Sequence, residues 1–372
     1  MNSPASTTSS SSASAHPLAP YGWDAGFAES FAPHAERGLL PGRIVRVDRG
    51  RCDLVVADGT TVRTVHADAA LVATGDTLAV MCTGDWAAVD ADHRFVRALL
   101  PRRTAFVRST SSQRSEAQIL AANVDRAVVA VSLAVEPDLG RLERFLALAW
   151  ESGAQPLVVL TKADLVPDPA VLGHLLADTE AAAPGVQVLA VSAGTGHGMD
   201  VLAAVLADGT SVLLGPSGVG KSTLANALCG QAAAQAVNAT RDRDGKGRHT
   251  TTTRDLLPLA SGGVLIDTPG LRGVGLWDAR AGVEQTFAEI ETLAEHCRFH
   301  DCAHATEPGC AVQDAIAAGD LPARRLDSYR KLLRENARIA ARTDARLRAE
   351  IRRDWQRKQA EGRAAMERKR GH

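Results

Sequence analysis

The stretch that most limits what this chain can become is Gly215-Pro216-Ser217-Gly218-Val219-Gly220-Lys221-Ser222. It fits G-x-x-x-x-G-K-[ST], the pattern of a phosphate-cradling loop. The glycines let the backbone curl until successive N–H groups point inward at phosphate oxygens. Lys221 then reaches the β- and γ-phosphates, and the Ser222 hydroxyl is placed to ligate Mg²⁺. The flanks agree with this reading. Residues 211–214 are an apolar run, as in a buried parallel strand. Residues 223–228 read as the start of a helix, which aims a helix N-terminus at the phosphates. The phosphate site is therefore expected to run from Gly215 through Thr223. Lys221 is also assigned a catalytic part, since its charge offsets the charge that builds up in phosphoryl transfer.

With 372 residues the chain exceeds the size of a single core, and two or three domains are expected. Its 42 basic and 43 acidic residues nearly cancel, so any nucleic-acid contact must come from how charge is distributed. Six cysteines are too few for a disulfide scaffold. Cys52, Cys82 and Cys229 are scattered and read as buried thiols. No apolar run approaches the ~18 residues of a membrane span, and residues 1–20 lack the Lys or Arg of a secretory leader. A cytoplasmic protein with no membrane partner is expected.

Residues 1–20 are rich in Ser, Ala and Thr and are expected to be disordered. Residues 21–41 carry Trp23, Phe27 and Phe31 and read as a short helix or arm against the next domain. From Gly42 to about Leu100 short β-like runs alternate with turn signals. Strands are expected at 43–47, 52–56, 60–65, 76–80 and 94–97. They suggest a small OB-fold barrel, which would serve either as a single-stranded nucleic-acid binder or as a plain structural module. Residues 101–118 read as a basic linker. A βα rhythm follows, with strands at 127–133, 156–160, 186–191 and 264–266 and a helix over 141–150. This implies a mostly parallel sheet covered on both faces.

Thr161-Lys162-Ala163-Asp164 follows the second of these strands and matches the guanine-reading pattern [NT]-K-x-D. The Asp164 carboxylate can accept from both N1–H and the exocyclic N2–H of guanine. Adenine lacks that donor pair and would leave a buried charge unpaired. Lys162 can lay its stem along the base. Ser192-Ala193, after the third strand, resembles the second base-contacting motif, with the Ala193 N–H meeting the guanine O6. Asp267-Thr-Pro-Gly270 resembles D-x-x-G, with Asp267 holding Mg²⁺ through water and the Gly270 N–H touching the γ-phosphate. Between them, residues 245–253 are Gly-rich and then Thr-rich, as suits a switch loop. Either Thr250 or Thr251 would complete the Mg²⁺ shell. The binding set points to GTP and GDP with Mg²⁺.

The order of these motifs is informative. The base-reading motifs precede the phosphate loop, the reverse of common GTPases, and this implies a circular permutation. The segment after Gly270 then runs straight into the C-terminal region. Leu271 stands where many GTPases place a water-positioning Gln, and Leu cannot orient water. His249 in the switch segment is the candidate catalytic group, with an ordinary exposed loop His as the alternative.

Cys297, Cys302, His304 and Cys310 offer three thiolates and an imidazole within one short stretch. This is a standard structural Zn²⁺ set, one ion per chain, and a metal site is favoured over disulfides in a reducing compartment. His296 and His300 compete with His304 for the nitrogen position. Residues 323–372 read as a long polar helix whose last part is basic. Such a run fits either a solvated face or a contact with RNA phosphates.

The ordered combination TKAD, SA, GPSGVGKS, GRHTTT, DTPG and C-x4-C-x-H-x5-C resembles the ribosome small-subunit-dependent GTPase A (RsgA) family over about residues 21–340. The resemblance implies an OB-fold, a permuted GTPase domain and a zinc domain. It also implies GTP hydrolysis stimulated by the small ribosomal subunit during late subunit maturation. The family's zinc ligands fall on Cys297, Cys302, His304 and Cys310, and its proposed catalytic histidine on His249. The Ser-rich N-terminus and the long basic tail depart from the family pattern. The expected architecture is multidomain α/β. Its parts are a tail and arm (1–41), an OB-fold barrel (42–104), a circularly permuted P-loop GTPase domain (105–278), a zinc-binding helical domain (279–340) and a basic helical tail (341–372). The expected partners of this monomer are GTP or GDP and the small subunit with its rRNA. The rival readings are a nucleotide-gated RNA-binding protein whose hydrolysis is incidental, and a P-loop ATPase or kinase.

Overall fold

A computed structural model describes residues 16–48, 50–76, 78–109, 117–230, 254–267 and 279–343. Helix α1 (Ala25–Ala35) is capped by the Asp24 side chain, which accepts from the Phe27 N–H. It leads into strands β1 (Leu40–Asp48), β2 (Arg51–Asp58), β3 (Thr61–Asp68), β4 (Trp86–Val89) and β5 (Val96–Leu99). These pair antiparallel in the order β3-β2-β1-β4-β5, and a parallel bridge between Asp68 and Phe95 brings the two edges together. The result is the expected small barrel. Its interior is filled by Ile44, Leu54, Val56, Val89 and Val96, all fully buried. The β2–β3 hairpin turns at Gly59 (φ +63°), a left-handed position that a Cβ disfavours. Outside the barrel, Trp23, Phe27 and Phe31 lie against Trp86, with the Trp23 and Trp86 rings 4.8 Å apart.

Three expectations for this half need correction. Residues 76–80 are not a strand among the described positions; Leu78 and Val80 are exposed, and their carbonyls accept from Arg102. The fourth strand is instead β4, buried on both faces, so it lacks the alternation by which a half-buried strand is recognised. The expected linker carries a hairpin, β6 (Ala105–Ser109) with β7 (Ala117–Ala122), whose Phe106 is fully buried. Order also begins earlier than Tyr21, because Leu18 is fully buried against the arm. The rest of residues 1–20, up to position 15, lies outside the described residues.

The larger sheet runs β8 (Arg126–Ser132), α2 (Leu139–Glu151), β9 (Gln155–Thr161), α3 (Pro169–Ala182), β10 (Gln187–Val191), α4 (Met199–Val205), β11 (Thr210–Leu214), α5 (221–230), β12 (Asp255–Pro258) and β13 (Val264–Asp267). The strand order is β10-β9-β8-β11-β13-β12, parallel except for β12. Alternate residues of β8 enter different cores: Ala127 and Val129 pack on the α2 and α3 side, Val128 on the α4 and α5 side. From β8 the chain builds outward to β10, then returns to β11 on the opposite side of β8. That reversal opens a crevice at the carboxyl ends of β8 and β11.

Four helices complete the described chain: α6 (Arg280–Thr286), α7 (Ala288–Ala294), α8 (Ala311–Ala318) and α9 (Ala323–Thr343). Helix α6 lies directly on α2. A Cβ at Gly282 would stand 2.0 Å from the Ala147 carbonyl oxygen, so only glycine permits this approach. Among the described residues no helix is long and apolar enough to cross a membrane. Burial raises the Cys52 thiol to about 12 and, with a smaller push from the Asp267 charge, the Cys229 thiol to about 11. Both remain protonated, inert thiols, as the sequence suggests.

Candidate active site and metal centre

The sheet brings the sequence motifs to one edge. Thr161–Asp164 leaves the end of β9, Ser192–Ala193 the end of β10, Gly215–Thr223 the end of β11, and Asp267 ends β13. Each sits at the carboxyl end of a parallel strand, where backbone N–H groups and helix N-termini converge.

The loop after β11 has the shape its glycines require. Gly215, Gly218 and Gly220 have φ of 140°, 83° and 100°. A Cβ at Gly215 would stand 2.6 Å from the Ala130 carbonyl oxygen. Lys221 Nζ arches over the loop and donates to the Gly215 and Pro216 carbonyls at 2.8 and 2.7 Å. Ser217, Gly218, Ser222 and Thr223 are exposed, whereas Val219 is buried and anchors the loop. Helix α5 starts at Lys221, so its first N–H groups face the same space.

The base-reading segment is tied to this loop. Thr161 Oγ1 donates to the Val219 carbonyl (2.6 Å), and Lys162 Nζ to the Gly218 carbonyl (2.9 Å). Lys162 adopts the left-handed conformation (φ +59°), rare for a non-glycine residue, and this swings its stem across the loop. Ala163 is buried beneath the segment. Ser192 Oγ donates to Asp164 Oδ1 at 2.5 Å, which aligns the carboxylate and joins the two base motifs. The sequence places both residues in the site, but this bond between them becomes visible only in three dimensions.

Asp255 opposes Asp267 in the β12–β13 register, so the carboxylate intended for Mg²⁺ stands at the sheet edge beside the loop. Ser222 and Asp267 thus offer a hydroxyl and a carboxylate at adjacent strand ends, donors of the hard type that Mg²⁺ takes. Four further site assignments (His249, Thr250, Thr251 and Gly270), and Leu271 with them, lie outside the described residues.

The second constellation is metal-like. Ligand atoms of Cys297, Cys302, His304 and Cys310 all lie within 4.8 Å of one another. The Sγ atoms of Cys297 and Cys310 are 3.8 Å apart, and His304 Nδ1 lies 3.6 and 3.5 Å from them. A tetrahedron with Zn–S and Zn–N bonds of normal length has S···S edges of about 3.8 Å and S···N edges of about 3.6 Å. The donor set therefore fits zinc, and the sulfurs are much too far apart for disulfides. His304 is held by φ +57° and by Gln313 and Arg330, which both donate to its carbonyl. Among the described residues neither His296 nor His300 belongs to the cluster.

The fold and the nucleotide edge define a circularly permuted P-loop GTPase. The family description RsgA GTPase matches residues 99–277. The chain is 70% identical over 362 residues to a small ribosomal subunit biogenesis GTPase RsgA of Streptomyces avermitilis, covering 97% of this chain and 96% of that one. It is 69% identical to the protein of that name from Streptomyces coelicolor, with 98% and 99% coverage. Among solved structures, YjeQ from Thermotoga maritima superposes with a TM-score of 0.59 at 24% identity, over 80% of this chain and 98% of that one. YloQ, described as a circularly permuted GTPase, gives 0.57 at 24% identity, over 80% and 95%. This chain belongs to the RsgA GTPase family.

Proposed function

We propose that this GTPase acts on the small ribosomal subunit, hydrolysing GTP to GDP and phosphate late in the subunit's maturation, with the subunit stimulating turnover. The observation that carries this is near-full-length similarity, at 70% identity, to a protein named as a small ribosomal subunit biogenesis GTPase. The protein would work in the cytoplasm as a monomer. The division of labour follows the expected boundaries: barrel (42–104), permuted GTPase domain (105–278), zinc-binding domain (279–340) and basic tail (341–372). The barrel and zinc-binding domain face rRNA.

Within the site, Thr161, Lys162, Ala163 and Asp164 read guanine with Ser192 and Ala193. Gly215 through Thr223 cradle the phosphates, and Asp267 and Gly270 face the γ-phosphate end. Mg²⁺ held by Ser222 and Asp267, with Thr250 or Thr251, supplies charge neutralisation on the phosphates. His249 is proposed to position the attacking water once the subunit is docked. The aligned Asp164 carboxylate predicts that Asp164→Ala weakens GDP binding by at least about tenfold per lost charged hydrogen bond. Competition with labelled GDP measures this. ATP displacing the label as well as GTP does would contradict the guanine assignment.

Cys297, Cys302, His304 and Cys310 are proposed to hold one structural Zn²⁺. Cys302→Ala should then lower bound zinc from one per chain to near none and expose the 297–310 segment to protease. Elemental analysis of the purified protein reads the first effect, and unchanged zinc would refute the ligand set.

Co-sedimentation with purified small subunits tests the function. Binding with a non-hydrolysable GTP analogue, weakened with GDP, is expected. Equal binding in both states would favour a nucleotide-insensitive RNA-binding protein.

A further inference from the structure

A cavity of about 620 Å³ lies between the N-terminal arm, the barrel and the opposite edge of the large sheet. Arg126, Gln155 and Thr210, which begin β8, β9 and β11, line it. The nucleotide motifs leave the other ends of β9 and β11, roughly 20 Å away along the seven residues of β9. The two sites are therefore separate.

Arg43 of β1 forms part of the cavity wall and is 1% exposed. Its Nη2 donates to the Asn123 carbonyl (3.1 Å) and to Thr210 Oγ1 (3.0 Å). Its Nε has no partner. Its Nη1 makes no hydrogen bond among the described residues and lies beside Gly22, where a Cβ would stand 3.7 Å from it. The guanidinium rests over the Trp86 ring at 5.0 Å. Burial lowers the Arg43 pKa to about 10, so it stays charged at neutral pH.

None of the nearby charges forms an ion pair with Arg43, although Asp125 and Asp85 act on it through space. Asp85 is held in a two-pronged ion pair by Arg102, at 2.6 and 2.7 Å. Asp125 Oδ2 accepts from the Thr210 N–H at 2.6 Å, and no carboxylate of the described residues comes within ion-pair distance of Arg43. Arg103 is paired with Asp24 at 2.5 Å, and Arg126 donates to the Asp208 carbonyl. A buried cation without a contacting counterion is costly, and a guanidinium with free N–H groups matches the oxygens of a carboxylate or phosphate.

We infer that this cavity is an anion-binding site in which a small oxyanion, phosphate or carboxylate, seats against Arg43 Nη1. Asp125 also lines the cavity, and its negative charge disfavours an anion seated close to it. The ligand would bridge arm, barrel and sheet, and so stiffen the joint between barrel and GTPase sheet.

The test uses the full chain saturated with GDP, so that the phosphate loop is filled. Arginine side chains are labelled with nitrogen-15, and the Arg43 resonance is identified by its contact with the Trp86 indole. Titration with inorganic phosphate, and separately with acetate, should shift the Arg43 resonance to saturation while Arg102 stays in place. Saturation by one and not the other tells which oxyanion the site takes. An Arg43 resonance that does not move with either anion, or that moves only as it does in sodium chloride, would overturn the inference. Arg43→Lys keeps the charge and loses the fork, and calorimetry should then show about tenfold weaker binding. Undiminished heat in that variant would place the anion elsewhere and also overturn it. If the variant does not fold, the wild-type spectra decide.

Discussion

Lys221→Ala should lower GTP hydrolysis by roughly a hundred- to a thousand-fold, the usual effect of losing one preorganised donor to transition-state charge. Lys221 Nζ is already held over the loop, within 2.8 Å of the Gly215 and Pro216 carbonyls. On nucleotide binding it would exchange those carbonyls for phosphate oxygens. The side chain is half-buried at the loop surface rather than in a core, so the variant should fold normally. Single-turnover hydrolysis with GTP in excess of its dissociation constant isolates the chemical step. Wild-type turnover would mean that residues 215–222 do not hold the reacting phosphates.

Glu143→Ala should be the most destabilising single change in the joint between the GTPase sheet and the C-terminal helices, costing about 3–5 kcal/mol. Glu143 on α2 is fully buried. Its carboxylate accepts from Arg324 Nη1 (2.9 Å), Arg325 Nη1 (2.8 Å) and the Ser328 hydroxyl. Arg325, 2% exposed, also pairs with Glu289, donates to the Thr286 and Ala182 carbonyls, and stacks on Phe287 at 4.3 Å. Removing Glu143 leaves Arg325 buried with one carboxylate fewer. Replacing both partners, Glu143→Leu with Arg325→Met, should cost much less, since an apolar pair of similar volume is often nearly neutral. Denaturant titration of the three proteins reads the difference. A Glu143→Ala protein within about 0.5 kcal/mol of wild type would show that this cluster does not hold the joint.

What the sequence showed in advance follows from range. The phosphate loop, the Thr161–Asp164 segment and the cysteine–histidine spacing are local patterns whose chemistry is fixed by neighbours in the chain. The first two lie at one sheet edge, and the cysteines and His304 form one compact cluster. The parallel strands were legible because they are continuous apolar runs punctuated by turns. The strand at 86–89 was not, because Trp86, Ala87, Ala88 and Val89 are all buried and show no period. The run at 76–80 looked more strand-like, yet its carbonyls serve Arg102, and this contact is set by the ion pair of Arg102 with Asp85. The buried ions were the least legible. Glu143 and Arg325 are 182 residues apart, and each alone reads as a surface charge on a helix. Arg43 lies between Gly42 and Ile44, all three buried, in a strand whose residues show no clean alternation, and nothing local marks the arginine as buried.

The decisive measurement is GTP hydrolysis by the purified protein alone, with small ribosomal subunits, and with large subunits as control. Strong stimulation by small subunits alone is predicted, because Leu271 stands where a water-positioning Gln is usual and cannot orient the attacking water without help. Equal rates in all three would contradict the account and leave a guanine-nucleotide-binding protein whose partner is not the small subunit.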